Sequence, residues 1–277
     1  MDKRDKKYRN KLLRVSSRDR DTSNSSETNS FFSVEIPDYA TNRVVAYEVV
    51  YASCPNVFYN INESNNVINF RRRFAGDIFS QETATITPGQ YTIDQLLTAL
   101  GTALTSGSGG TLLTITATLN DITQKIELGA AGSATDYIQL STNSGGNYVE
   151  SPIDPIIGND TNDIILEGAA AVSLNLLPNL AGTQEVYIHS QDLSISNLAE
   201  AQGTFSTLDV ISLAETPFGA LGSVYYPDHK LHRGDYLPFE SSRNLTGIRI
   251  ALRDSEGRLL ELDSNQYFTV ILRLHYK

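Results

Sequence analysis

Near the C-terminus, apolar side chains occupy every second position: Ile248, Ile250 and Leu252, then Phe268, Val270, Leu272, Leu274 and Tyr276. A period of two puts each set on one face of an extended strand, whereas a helix would spread it around its circumference. Asp254-Ser255-Glu256-Gly257 supplies a turn after the first run, so the two strands are expected to share a core. Shorter runs of the same kind occur at 31–36, 44–52, 57–61 and 67–70, and again at 186–189, 193–195, 208–213 and 224–226. Turn signals such as Pro37-Asp38, Pro55-Asn56 and Ser64-Asn65-Asn66 separate the early ones. With 14 Tyr and 10 Phe against one Met and no Trp, the composition also suits pleated, half-buried surfaces. A chain of 277 residues can hold one large β domain or two modest ones. The expected class is mainly β, a meander or sandwich.

The pattern changes at Thr87-Pro88-Gly89-Gln90, which suits a type II turn. Beyond it, Ile93, Leu96, Leu97, Leu100 and Leu104 keep the spacing of one helical face, with Thr92 and Gln95 placed for a capping box. Gly101 costs that helix about 1 kcal/mol relative to alanine. Leu113 to Leu119 alternates with threonines and predicts a strand, with Ile122 to Leu128 returning alongside it. Residues 129–182 are rich in Gly, Ala, Ser and Asn, and read as loops with short strands such as Tyr137–Leu140 and Ile164–Leu166. The expected organisation is therefore a basic arm and polar linker at 1–30, a sandwich from 31–80 and 181–277, and an inserted α+β segment at 81–180.

Charge separates the arm from the body. Residues 1–20 carry nine basic side chains (Lys3, Arg4, Lys6, Lys7, Arg9, Lys11, Arg14, Arg18 and Arg20) and three acidic ones (Asp2, Asp5 and Asp19). Removing these from totals of 22 and 32 leaves 13 basic and 29 acidic residues in 21–277, a body charge of −16. Such a body repels polyanions, while a free arm attracts nucleic acid or anionic lipid. The alternative is a disordered tail that only aids solubility. In either case, deleting residues 1–20 is expected to leave the body folded.

Signatures of catalysis do not appear. Phosphate-binding glycine loops, the Gly-x-Ser-x-Gly elbow and paired CxxC motifs are missing, and carboxylate pairs such as Asp160 and Asp163 are expected in a chain with 32 acids. The reading is of a non-enzyme without cofactor or metal. His229-x-x-His232, flanked by Asp228 and Asp235, has ligand spacing, but Pro227 and Gly234 mark a loop of solvated histidines. Cys54 lies in an apolar run and reads as a buried, inert thiol. No signal peptide or membrane-length apolar run is evident, so secretion by the usual route is not expected. Arg233-Gly234-Asp235 is an integrin-adhesion tripeptide when displayed on an exposed turn, but its apolar neighbours suggest a packed connection.

Three segments in order carry a family resemblance. They are Leu13-Arg14-Val15-Ser16-Ser17-Arg18-Asp19-Arg20 leading into Phe31-Phe32-Ser33-Val34-Glu35-Ile36-Pro37, then Val57 to Asn66, then Ile86 to Leu97. Together with the terminal strands Ile248–Asp254 and Tyr267–Leu272, they resemble the minor capsid proteins, most nearly the pentons, of virophages, polinton-like viruses and related large DNA viruses. The resemblance implies a single jelly-roll β-sandwich with an inserted segment and a disordered basic N-terminal arm. It also implies a homopentamer at the fivefold vertices of an icosahedral virion, made in the host cytoplasm or nucleus and set among major capsid proteins. The arm would then meet an internal membrane, the genome or neighbouring capsid proteins. A receptor- or glycan-binding surface module of a virion is the competing expectation, and Arg233, Gly234 and Asp235 would serve it.

Overall fold

Strand β1 runs from Arg9 to Ser16, inside the stretch expected to be a free arm. It pairs antiparallel with the last strand, β16 (Thr269–Tyr276), from Arg9 opposite Tyr276 to Ser16 opposite Thr269. The basic residues disguise a strand whose inward side chains are Leu13 and Val15, the latter fully buried. On an edge strand such charges are useful, because they discourage pairing with another sheet. The expected linker is also built structure. Asn29 and Ser30 are buried, Arg20 Nη1 donates to Asn29 Oδ1 and the Ser17 carbonyl, and the Asn29 amide donates to the Asp263 carbonyl.

The computed structural model describes residues 9–20, 22–36, 43–73, 79–108, 113–132, 137–143, 145–161, 164–167, 171–193, 206–226 and 237–276. The chain forms two compact units, Met1–Phe58 with Thr183–Lys277 and Tyr59–Gly182. The second therefore begins well before residue 81, and takes in the run at 67–70 expected in the sandwich together with a strand at Ser80–Thr85 that has no apolar alternation.

In the first unit, β2 (Phe31–Glu35), β3 (Val44–Pro55), β11 (Glu185–Ser190), β12 (Ser206–Ser212), β13 (Leu221–Tyr225), β14 (Leu237–Arg243) and β15 (Gly247–Arg253) join β1 and β16. One sheet has the order β1-β16-β3-β13, with β14 also pairing with β3, and the other is β12-β11-β15-β2. Setting β14 aside and counting the other strands along the chain, first pairs with eighth, second with seventh, third with sixth and fourth with fifth, all antiparallel. A long hairpin rolled into two sheets gives this order, which is the jelly roll. Its core contains Val15, Phe32, Tyr47, Ile188, Ile211, Ile248, Ile250, Leu252, Phe268, Val270 and Leu272. The two C-terminal runs do share it, as their alternation predicts.

The second unit is an excursion between the third and fourth jelly-roll strands. Val57–Ile61, expected as a strand, is only extended chain with one bridge from Ile61 to Gly89. That bridge occupies Gly89, whose φ is not positive, so the expected type II turn is not formed. Asn60 ties the start of the unit to its end, donating to the carbonyls of Tyr91 and Leu180 and accepting from the Tyr91 amide. Beyond it lie β4 (Val67–Arg73), β5 (Ser80–Thr85), α1 (Ile93–Gly107), β6 (Leu113–Leu119), β7 (Ile126–Gly132), β8 (Tyr137–Leu140), α2 (Asp154–Ile157), β9 (Ile165–Glu167) and β10 (Ala171–Ser173). They build one sheet of order β5-β4-β8-β9 and another of order β10-β7-β6.

Helix α1 starts at the expected capping box. Thr92 Oγ1 accepts the Gln95 amide, while Gln95 Oε1 accepts the Thr92 amide. Its apolar face buries Leu96, Leu97, Leu100 and Leu104 in a second core with Ile68, Phe70, Ile126, Leu128, Ile138 and Leu140. Gly101 has a structural reason, since a Cβ there would stand 2.9 Å from the Ile115 carbonyl oxygen of β6. The return strand begins later than expected. Ile122 is 92% exposed, in a turn where Asn120 Oδ1 accepts the amides of Ile122 and Thr123.

Candidate functional site

The chemistry-bearing residues singled out from sequence do not converge. Cys54 points into the jelly-roll core, fully buried, and burial pushes its thiol up to about 12. It is an inert packing residue, as expected. His189 is buried and stacks on Tyr187, while His275 lies beside Glu48 on another sheet, with Nε2 to Oε1 at 3.3 Å. Asp160 meets the Asn175 amide. Asp163, Asp228, His229, His232 and the tripeptide Arg233, Gly234, Asp235 lie outside the described residues. So do Lys3, Arg4, Lys6 and Lys7. Among the described residues no group of three His, Cys, Asp or Glu side chains is placed to hold a metal ion.

The rest of the basic set is part of the jelly roll. Arg9, Lys11 and Arg14 belong to β1, Arg14 reaches Asp19 at 3.4 Å, and Arg18 stands 5.7 Å from the centre of the Tyr267 ring. Because Val15 and Ser16 anchor this stretch, it cannot swing out as a unit without losing β1.

The outward face of the β1-β16-β3-β13 sheet follows from the register. Tyr225 is opposite Tyr51, Tyr51 opposite Ile271, and Ile271 opposite Arg14, so these four side chains cross all four strands in one row. Leu12 lies opposite Arg273, itself opposite Glu48, and Leu221 lies opposite Pro55 at the far edge. Leu12, Leu221 and Tyr225 are 59%, 58% and 63% exposed. The rings of Tyr51 and Tyr225 meet edge to face at 6.5 Å, which holds the exposed tyrosine in place. Arg273 Nη1 donates to Glu48 Oε1 at 2.6 Å, and both side chains are largely covered. The face thus combines a satisfied ion pair at one end with large apolar groups that water still touches. Sequence alternation alone cannot find it, because only the pairing brings β1, β3, β13 and β16 side by side.

The second unit has a buried polar cluster. Asp154 is 1% exposed, with Oδ2 accepting from Ser141 Oγ at 2.7 Å and the Ser151 amide at 2.8 Å, and Oδ1 accepting from Asn159 Nδ2 at 3.2 Å. Burial raises its pKa, and the hydrogen bonds from Ser141, Ser151 and Asn159 oppose the rise. Each partner is a donor with a role in shaping the 141–159 connection, so the cluster is a structural staple.

Among solved structures, the chain is similar to the selenomethionine-labelled mavirus penton protein, with a TM-score of 0.49 at 10% identity, over 97% of this chain and 100% of that one. No curated protein matches the chain. The pattern of one family matches residues 9–227, starting where β1 starts and running through both units, and the chain belongs to that family, the family of unknown function DUF5901.

Proposed function

We propose that this chain is a structural capsid protein, a penton that forms homopentamers at the fivefold vertices of an icosahedral virion beside the major capsid protein. The observation that carries the reading is the outer face of the β1-β16-β3-β13 sheet, where Leu12, Leu221 and Tyr225 are each more than half exposed. Large apolar side chains left exposed on a sheet face fit a contact with another protein. A jelly roll is the architecture that builds many viral shells, though it also builds lectins, so the fold needs this surface to favour assembly. A closed ring needs two different complementary patches on each subunit, and this face serves as one of them. Lys3, Arg4, Lys6 and Lys7, which precede β1 in the sequence, supply positive charge for an internal membrane, the genome or a neighbouring capsid protein.

Replacing Leu12 and Tyr225 together by aspartate tests the face, because neither side chain is buried. Sedimentation velocity is expected to show the wild-type oligomer reduced to monomer with thermal unfolding unchanged. An oligomer of undiminished size would remove this face from the interface.

A further inference from the structure

Strand β4 ends in three consecutive arginines that the structure uses in two different ways. Arg72 points to the helix side of its sheet, where Nε meets Glu82 Oε1 at 3.1 Å and Nη1 donates to the Ser108 carbonyl at 2.7 Å. It is a brace for the end of α1. Arg71 and Arg73 point to the opposite face, where neither guanidinium has a carboxylate partner among the described residues. Both lie over one aromatic ring, that of Phe79, with guanidinium carbons 4.2 Å and 4.9 Å from its centre. The Tyr137 ring stands edge-on to Phe79 at 5.2 Å and within 5.8 Å of both arginines.

The cluster is held in position by its neighbours. Gln139 Oε1 accepts from Arg71 Nε and from the Tyr137 hydroxyl, each at 2.8 Å. Gly146, at φ +83°, lies so close to Arg71 that a Cβ there would come within 2.8 Å of Nη1. Across the sheet, Gln81 is opposite Arg71 and Thr83 opposite Asn69, so amide and hydroxyl groups border the pair on the same face. Two like charges side by side repel each other, and stacking fixes their planar N–H edges in place without neutralising them. In a body of charge −16, where carboxylates are abundant, a pair with no carboxylate partner among the described residues favours an anion from outside.

We infer that Arg71, Arg73, Phe79 and Tyr137 form a binding face for an acidic saccharide, a sugar that presents one carboxylate to the paired guanidiniums and its hydroxyls to Gln81 and Thr83. The size of the charge decides the class of ligand. A nucleic acid needs a series of cations along its backbone, and the acidic body would repel most of its phosphates. A sugar acid needs one bidentate contact, an aromatic edge and polar groups that match hydroxyls. Contact with a single sugar is weak, and repetition around a ring of subunits would strengthen it.

The test uses the full chain and ligand-observed saturation-transfer NMR with 3′-sialyllactose, lactose as the neutral control and an eight-nucleotide oligo-dT as the polyanion. Binding of sialyllactose with no signal for lactose is expected. The R71Q/R73Q double variant should lose at least about tenfold in affinity with unchanged thermal unfolding, since Arg72 remains. Should the double variant misfold, Arg73→Lys keeps the charge but not the stacked fork, and is expected to lose most of the binding by itself. Equal response to lactose, full binding by a folded double variant or by Arg73→Lys, or displacement of sialyllactose by oligo-dT would each overturn the inference.

Discussion

Val15 on the first strand stands directly opposite Val270 on the last, and both are fully buried in the jelly-roll core. Residues separated by almost the whole chain are thus neighbours, and the N-terminal segment is bound into the domain that it was expected to leave. Deleting residues 1–8 should give a soluble protein with unchanged thermal unfolding. Deleting 1–20, or replacing Val15 by aspartate, should abolish folding of the jelly roll, because an unpaired charge would enter the core at a cost of several kcal/mol. Circular dichroism and solubility separate the two cases, and a folded 1–20 deletion would contradict the pairing of β1.

The same sheet depends on the other end of the chain. Stopping after Leu272 removes the half of β16 that pairs with both β1 and β3, including buried Leu274 and the Arg273 partner of Glu48. Insoluble expression is the expected outcome, and a soluble product with native near-ultraviolet circular dichroism would refute it.

Asp154 gives the second unit a pH dependence of definite sign. A carboxyl whose pKa is higher folded than unfolded holds its proton more readily in the folded state. Its contribution therefore favours folding at acid pH, and is lost as pH rises from the unfolded value through the raised folded one. Titration of its carboxyl carbon by NMR should give a midpoint above the usual carboxylate value of about 3.9, and a midpoint at or below it would contradict the assignment. Asp154→Ala should cost about 2–3 kcal/mol, since it leaves buried donors without an acceptor.

Gly101 sets helix propensity against packing. Alanine would improve the helix by about 1 kcal/mol, but its methyl would press on the Ile115 carbonyl, a backbone group that cannot rotate away. Gly101→Ala is expected to lower the unfolding temperature with a net loss of about 1–3 kcal/mol. A higher unfolding temperature would mean that β6 yields easily.

What could be read in advance was local. The C-terminal strands were legible because Val270, Leu272 and Leu274 alternate over a long run, and α1 because five apolar positions follow a capping box. Strand β5, Ser80–Thr85, was not, since of its six residues only Ala84 is buried and the rest are polar. Strand β14 contains Pro238, which argues against a strand anywhere but at a sheet edge or an irregularity. Strand β1 was hidden by its charges. Both candidate surfaces were illegible for a different reason, because they exist only after pairing sets Tyr225 beside Tyr51 and Arg71 beside Gln139. The tripeptide Arg233, Gly234, Asp235, conspicuous in sequence, lies outside the described residues and remains an expectation only.

Self-assembly into a ring of five can be read from native mass spectrometry of the purified full chain. The expected spectrum is dominated by a species of five times the 30.4 kDa subunit mass. A stable monomer or trimer at high protein concentration would contradict it.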